Sequence, residues 1–301
     1  MADLTGDFTR KLGSNQKCEI HIFDITTGED RLLFSTTELL LEAPNWHKNN
    51  YLLLNGNGLL WKLDVADNPR LRQIDLDGAN PLNNDHVLSP DHSEIYISTN
   101  NDWRIHRVPV SGGLTQPVSV GPKSHLHFLH GVHPNEAEIA FVQLDAGADD
   151  VFSSGRIQLF DFISGEVVPL VNGDGPEDGC EYSVDGEWVY FNTEHFSTRR
   201  GHAQIARARR SGADFEQLTF DNRVNWFPHQ SPDGEHWVYL SYPSETVGHP
   251  ENIDVELRLV VGEDWGNPQT LVKLFGGQGT INVNSWSPHE TKFAYVSYPK
   301  I

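Results

Sequence analysis

The chain has 301 residues, 42 acidic against 22 basic, and a formal net charge of −20. That field repels polyanions, so neither nucleic acid nor an anionic membrane surface is an expected partner, and no apolar run approaches the roughly 20 residues of a membrane span. Cys18 and Cys180 lie far apart without a CxxC neighbour, and nothing suggests a disulfide. Together with a polar start at residues 1–6 and no hydrophobic segment behind it, this makes a cytoplasmic location the expectation.

One phrase recurs six times: an aromatic residue or His, a turn of the Ser-Pro-Asp-Gly type, then an alternating apolar strand. Its copies start at Trp46, His86, His130, Tyr182, His229 and Trp286. From the second copy onward the turns sit at 90, 134, 185, 233 and 288, with gaps of 44, 51, 48 and 55 residues. Those gaps approach the roughly 40–50 residues of a four-stranded propeller blade. The reading is therefore an all-β, six-bladed β-propeller forming a single domain over 1–301.

In chain order, residues 18–25 and 31–34 read as two outer strands. Blade two follows with strands at 94–98 and 104–108, and blade four with 187–191 and 204–208. Blade five is the clearest, with strands at 225–230, 236–242, 255–260 and 270–274; apolar 255, 257 and 259 alternate with polar 256 and 258. Residues 283–286 and 292–297 supply two further strands. The last blade is then shared by residues 18–35 and 281–301, a velcro closure that removes open sheet edges, and residues 1–35 are expected to pack beside 281–301. Blade one has Lys48-Asn49-Asn50 in place of Pro-Asp-Gly, and blade three has His133-Pro134-Asn135-Glu136, which changes the local turn type.

Ser231-Pro232-Asp233-Gly234 and the Val-Tyr-Leu-Ser strand behind it resemble the PD40 (WD40-like) repeats of TolB-type six-bladed propellers. Glu42 to Trp46, Asn83 to His86, Gln217 to Asp221, Asn225 to His229, Asp254 to Leu259 and Phe275 to Val283 are similar to bacterial TolB-like proteins, also called Tol biopolymer transporter proteins. The resemblance spans all six blades and implies the fold. It implies no role in the Tol–Pal envelope system, since the TolB N-terminal domain and signal peptide are not seen. Related propellers include the oligogalacturonate lyases, which hold a divalent metal with His and Gln ligands. By this resemblance a divalent metal (Mn, Zn, Ni or Ca) is a candidate cofactor.

In propellers the loops entering the innermost strands open over the central channel, a fold-level pointer to where ligands sit. A metal reading takes His86, His130 and His229 from three blades, as imidazole ligands suit such ions; the alternative is that each ring holds its own blade together. An acid–base reading adds Asp85, Asp178 and Glu181 to those three His as catalytic candidates, as paired carboxylates or a proton-abstracting His. Asn84, Asn225, Gln278 and Asn282, with Trp226, suit sugar hydroxyls, and Trp226 equally suits blade packing. The long loop after Tyr242 should bring His249 over the funnel, with residues 194–202 equivalent in blade four. No GxSxG, P-loop, GxGxxG or HExxH pattern occurs. The function expected is binding or processing of a small-molecule or oligosaccharide ligand, an oligosaccharide or uronate, by a lyase or glycoside hydrolase; the alternative is a non-catalytic propeller that binds protein.

Overall fold

The computed structural model describes residues 9–301 apart from 174 and 290. Its strands form six blades around a central channel. Blades one to five are antiparallel four-stranded sheets. Their innermost strands are Glu42–His47, Leu82–Leu88, His125–Val132, Glu177–Tyr182 and Val224–Gln230. Blade six combines Lys292–Ser297 with Cys18–Asp24 and Asp30–Thr36, so the two ends of the chain share one sheet. Closure is continuous from Glu19 opposite Ser297 to Asp24 opposite Lys292, and a Gln16–Lys300 bridge extends it. The expected partnership of 1–35 with 281–301 holds from residue 15 onward; its first eight residues lie outside the described residues. The expected strand at 283–286 is irregular and touches the sheet through one bridge, Trp286 to Phe293.

The recurring phrase has a physical explanation. In blades two, four and five the Ser hydroxyl donates to the Asp two residues on: Ser89 to Asp91 at 2.7 Å, and Ser183 to Asp185 and Ser231 to Asp233 at 2.5 Å. The same Asp oxygen accepts the backbone N–H of Ser93, Glu187 or Glu235, and the Ser oxygen accepts that of Glu94, Trp188 or His236. Each turn's polar groups are thus satisfied locally, which fixes the register of the hairpin behind it.

Each blade is too thin to bury its apolar faces alone, so the core lies between blades. Six clusters of buried side chains sit one at each junction. Leu53 and Leu60 meet Ile95 and Ile97 between blades one and two, and Tyr190 meets Trp237 and Tyr239 between four and five. Between five and six, Trp226, Leu240 and Tyr242 pack on Phe23, Trp286 and Phe293. Cys18, Ile20 and Val296 meet Leu41, Leu52 and Leu54 at the closing junction. The alternation read at 255, 257 and 259 is real, for Val255, Leu257 and Leu259 are all buried. Both cysteines are free and buried.

Because Val296 is wholly buried on the closing strand, Val296→Asp should place an unpaired carboxylate in the junction. It should cost about 3 kcal/mol or more in urea unfolding; a loss below about 1 kcal/mol would mean that closure contributes little.

Candidate functional site

The innermost strands are not regular. In each of blades one to five the pairing with the second strand breaks register once, between Glu42 and Asn45, Leu82 and His86, Leu129 and Gly131, Asp178 and Glu181, and Trp226 and His229. Bulges re-aim side chains and are frequent beside active sites. Here residues at the breaks, Glu42, Asn84, Asp85, His130, Asp178 and Phe227, line one cavity of about 660 Å³. Two of the lining aromatics, Trp103 (φ 57°) and Phe227 (φ 56°), have left-handed backbone that bulky side chains rarely adopt.

At the cavity floor the His130 ring carries Nε2 3.1 Å from Asp178 Oδ1 and 3.7 Å from Asp85 Oδ1, and stacks on Phe227 at 5.8 Å. Burial pushes the Asp85 carboxyl up to about 7, against the opposing pull of His130. Burial acts the same way on Asp178, but the hydrogen bond and charge of His130 outweigh it and hold this carboxyl below its ordinary value. Burial would lower His130, yet the two carboxylates keep it raised. Two neighbouring acids with pKa values driven apart are the arrangement that lets one donate a proton while the other stays ionised.

His249 comes from the loop before the strand Glu251–Val261. Its ring lies 4.4 Å from Trp226 and 5.3 Å from Phe227, hydrogen-bonds Gln278, and stands 3.8 Å from Asp178 Oδ2. Burial leaves it below its ordinary pKa, hence neutral at pH 7. On the opposite side Glu42 is the hub: Arg10 forms an ion pair with it, Asn55 donates to it at 3.0 Å and Asn84 at 3.3 Å. Arg10 also donates to the Gln278 carbonyl at 2.8 Å, and Gln278 Nε2 to Asn84 at 3.3 Å. An apolar wall is built by Trp103, Leu126, Phe128, Leu144, Val151 and Phe152, with Asn57, Asn100, Asp149, Asp150 and Arg200 also in the lining.

Of the residues singled out in the sequence, the structure therefore brings Asn84, Asp85, His130, Asp178, His249 and Gln278 together. Asn282 and Trp226 border this group from beneath and beside it, and the others lie elsewhere. His86 is wholly buried, its Nδ1 2.7 Å from Asn45 Oδ1 and its Nε2 3.4 Å from Asn55 Oδ1, and burial drops it to about 3. His229 holds Glu181 at 2.6 Å and donates from Nε2 to the Ile281 carbonyl at 2.8 Å. Glu181 also accepts from the Gln230 backbone and Asn284, so these are structural ties across blades four, five and six. Asn225 is buried among Gln204, Thr219, Asp221 and Ser241. Trp226 packs in the junction of blades five and six and touches the site through His249, and Asn282 is buried under the floor, accepting the Gly279 N–H at 2.8 Å while its side chain and backbone face Asp85 and His130. A metal centre of His86, His130 and His229 is not formed, since two of the rings are committed to other partners. Among the described residues, no three His, Cys, Asp or Glu side chains are arranged to hold an ion.

Sequence reasoning missed Arg10, Glu42, Asn55, Trp103, Phe128 and Arg200. Glu42 had a usable signal: it precedes Trp46 by four residues, as Asp178 precedes Tyr182. Arg200 does fall in the 194–202 loop named as equivalent to that of His249, and it pairs with Asp150 at the rim.

A six-bladed propeller with one acid-lined, aromatic-walled cavity over its channel defines the class of protein. An uncharacterized protein of Agrobacterium fabrum is 38% identical over 290 residues, 95% of this chain and 94% of that protein. A solved structure of a TolB candidate from Agrobacterium tumefaciens superposes with a TM-score of 0.84 at 36% identity, covering 95% of this chain and 99% of that one. The chain belongs to this TolB-like β-propeller family. No family model matches it. Oligogalacturonate lyase in complex with manganese is similar in fold alone, at 15% identity and a TM-score of 0.56 over 88% of this chain and 75% of that one.

Two predictions follow from the geometry. His229→Ala should cost about 1–3 kcal/mol in urea unfolding, because it strips a partner from the half-buried Glu181, whereas His249→Ala, at the cavity edge, should cost less; equal losses would contradict this division of roles. Asp85, raised above the usual carboxylate range near 4, favours folding while protonated and disfavours it once ionised, so its contribution falls as pH rises from about 4 to about 7. The Tm of Asp85→Asn relative to the parent chain should therefore climb across that window, and a flat difference would mean that Asp85 titrates normally.

Proposed function

We propose that the protein binds a carbohydrate in the channel-face cavity and that Asp85, His130 and Asp178 supply acid–base chemistry on it. One observation carries the reading: an aromatic and aliphatic wall faces a floor of carboxylate, amide and imidazole groups across a single cavity of about 660 Å³. Sugar rings present apolar C–H faces and a rim of hydroxyls, and they need both kinds of surface at once. Asn84 and Gln278 offer amide groups to hydroxyls. Asp178, ionised, accepts from a hydroxyl or a water, while Asp85 in its protonated form donates to a leaving oxygen. His130 lies within 3.7 Å of both carboxylates and couples their protons. This division of labour fits glycoside hydrolysis.

The test is a panel of glycosides and oligosaccharides screened by calorimetry and for release of reducing sugar. Asp178→Asn should lower turnover at least about a hundredfold while changing affinity little. A sugar that binds without turnover in the parent chain would leave a binding propeller. Failure of every sugar, together with capture of a protein on the same face, would favour the protein-binding alternative.

A further inference from the structure

The cavity lining is rich in carboxylates. Its floor carries Glu42, Asp85 and Asp178 with Arg10 and the raised His130, and its rim carries Asp149, Asp150 and Arg200 beside Val151 and Phe152. Every one of those cations already faces a carboxylate inside the same cavity: Arg10 meets Glu42, Arg200 meets Asp150, and His130 meets Asp178 and Asp85. Among the described residues, no cation of the lining is left for a ligand's carboxylate, and the surplus is negative. Asp85 is the telling member. Its side chain is 91% buried, the neutral Asn282 amide is its protein neighbour, and its nearest charged partner stands 3.7 Å away, beyond hydrogen-bond reach. A buried carboxyl in that position gains most from a donor that arrives with the ligand.

The wall is built for apolar contact. Trp103 and Phe128 stand with ring centroids 5.9 Å apart, flanked by Leu126, Leu144 and Val151. Phe152, 78% exposed, lines the same cavity from the short helical turn Phe152–Ser154. A large apolar side chain left that open at a cavity rim is the kind of surface that an apolar group covers on binding. This wall and the acidic floor line one cavity, so a single small molecule can reach both.

We infer that the ligand is a bipartite, amine-bearing molecule: a protonated amino group on its polar part is drawn to the Asp85–Asp178 floor, and an aromatic or alkyl substituent lodges between blades two and three against Trp103, Phe128 and Phe152. The inference rests on the carbohydrate reading for the polar part, where it selects an amino sugar with an apolar aglycone over a uronate. Like charges brought together in such a site oppose binding, and the ionised Asp178, with Glu42 and the rim carboxylates Asp149 and Asp150, selects against an anionic head as it attracts a cationic one, which in turn favours the ionised form of Asp85.

The experiment is calorimetric titration of the full chain at pH 7 with phenyl β-D-glucosaminide, phenyl β-D-glucoside and phenyl β-D-glucuronide, which share the ring and the aglycone and differ in charge. Methyl β-D-glucosaminide and 2-phenylethylamine complete the set. The glucosaminide should bind at least about tenfold tighter than the glucuronide, with the glucoside between. The phenyl compound should exceed its methyl counterpart by a similar factor, and Phe152→Ser, at an exposed position, should shrink that preference without affecting the methyl compound. A glucuronide that binds as well as or better than the glucosaminide would overturn the inference and leave the carbohydrate reading standing. Binding of 2-phenylethylamine with no glycoside would sustain the inference and remove the carbohydrate reading. No binding by any probe would overturn both.

Discussion

Closure of the ring by the Cys18–Asp24 and Lys292–Ser297 pair is the constraint on which the rest depends. A propeller blade has no core of its own, so six blades are stable only if each junction is filled and no junction is left as an open edge. The closing strands complete two junctions at once, packing Phe293 against blade five and Val296 against blade one. They also set the cavity. Arg10 lies just ahead of the first closing strand, Gln278 in the turn before the last, and Glu42 just beyond the closure; the three meet in one cluster. The polar rim on that side exists because the two ends of the chain are tied together there.

The inner strands supply the complementary constraint. A regular strand alternates its side chains and would point every second residue along the channel without variation. One register break in each of five inner strands abandons that regularity at the same level of the ring, and the residues released there are the ones that make the floor. The arrangement has an electrostatic consequence. Asp85 and Asp178 come from different blades, two apart in sequence order, yet share one imidazole from the blade between them. Burial and a common partner then drive their proton affinities in opposite directions. Away from the cavity, the same chemistry serves cohesion. The His229–Glu181 pair ties blade five to blade four and, through the Ile281 carbonyl and Asn284, to blade six, with neither group lining the cavity.

The architecture was legible because its signal is repetitive and local. The Ser-x-Asp turn states its own hydrogen bonds, and strand alternation at Val255, Leu257 and Leu259 reads directly as burial. Blade six was less legible. Its innermost segment keeps the apolar residues of a strand at Val283 and Trp286 but bridges its neighbour once, because Asn282 and Asn284 spend their side chains on the turn at Gly279 and on Glu181. The site was half legible. Polar groups clustered before the repeated phrase do mark the channel face, which is why Asp85, His130 and Asp178 could be named. Three His at matched repeat positions suggested a shared site, yet a register break decides which ones reach the channel. His130 sits inside its break, while His86 and His229 lie just past theirs and turn into the blade junctions. No sequence pattern announced Arg10 or Trp103, since each reaches the cavity by the path of a loop and not by its place in the repeat.

The account's central claim is that ligand binds on the channel face, between the floor of Asp85, His130 and Asp178 and the wall of Trp103 and Phe128. The most direct measurement is a crystal structure of the complex with the tightest-binding small molecule. The account expects density bridging Asp85 and Trp103, with the ligand's donors within hydrogen-bond distance of Asp85 or Asp178. Density on the opposite face, around His133, Asp185 and Arg209, with the channel cavity holding only water, would contradict it.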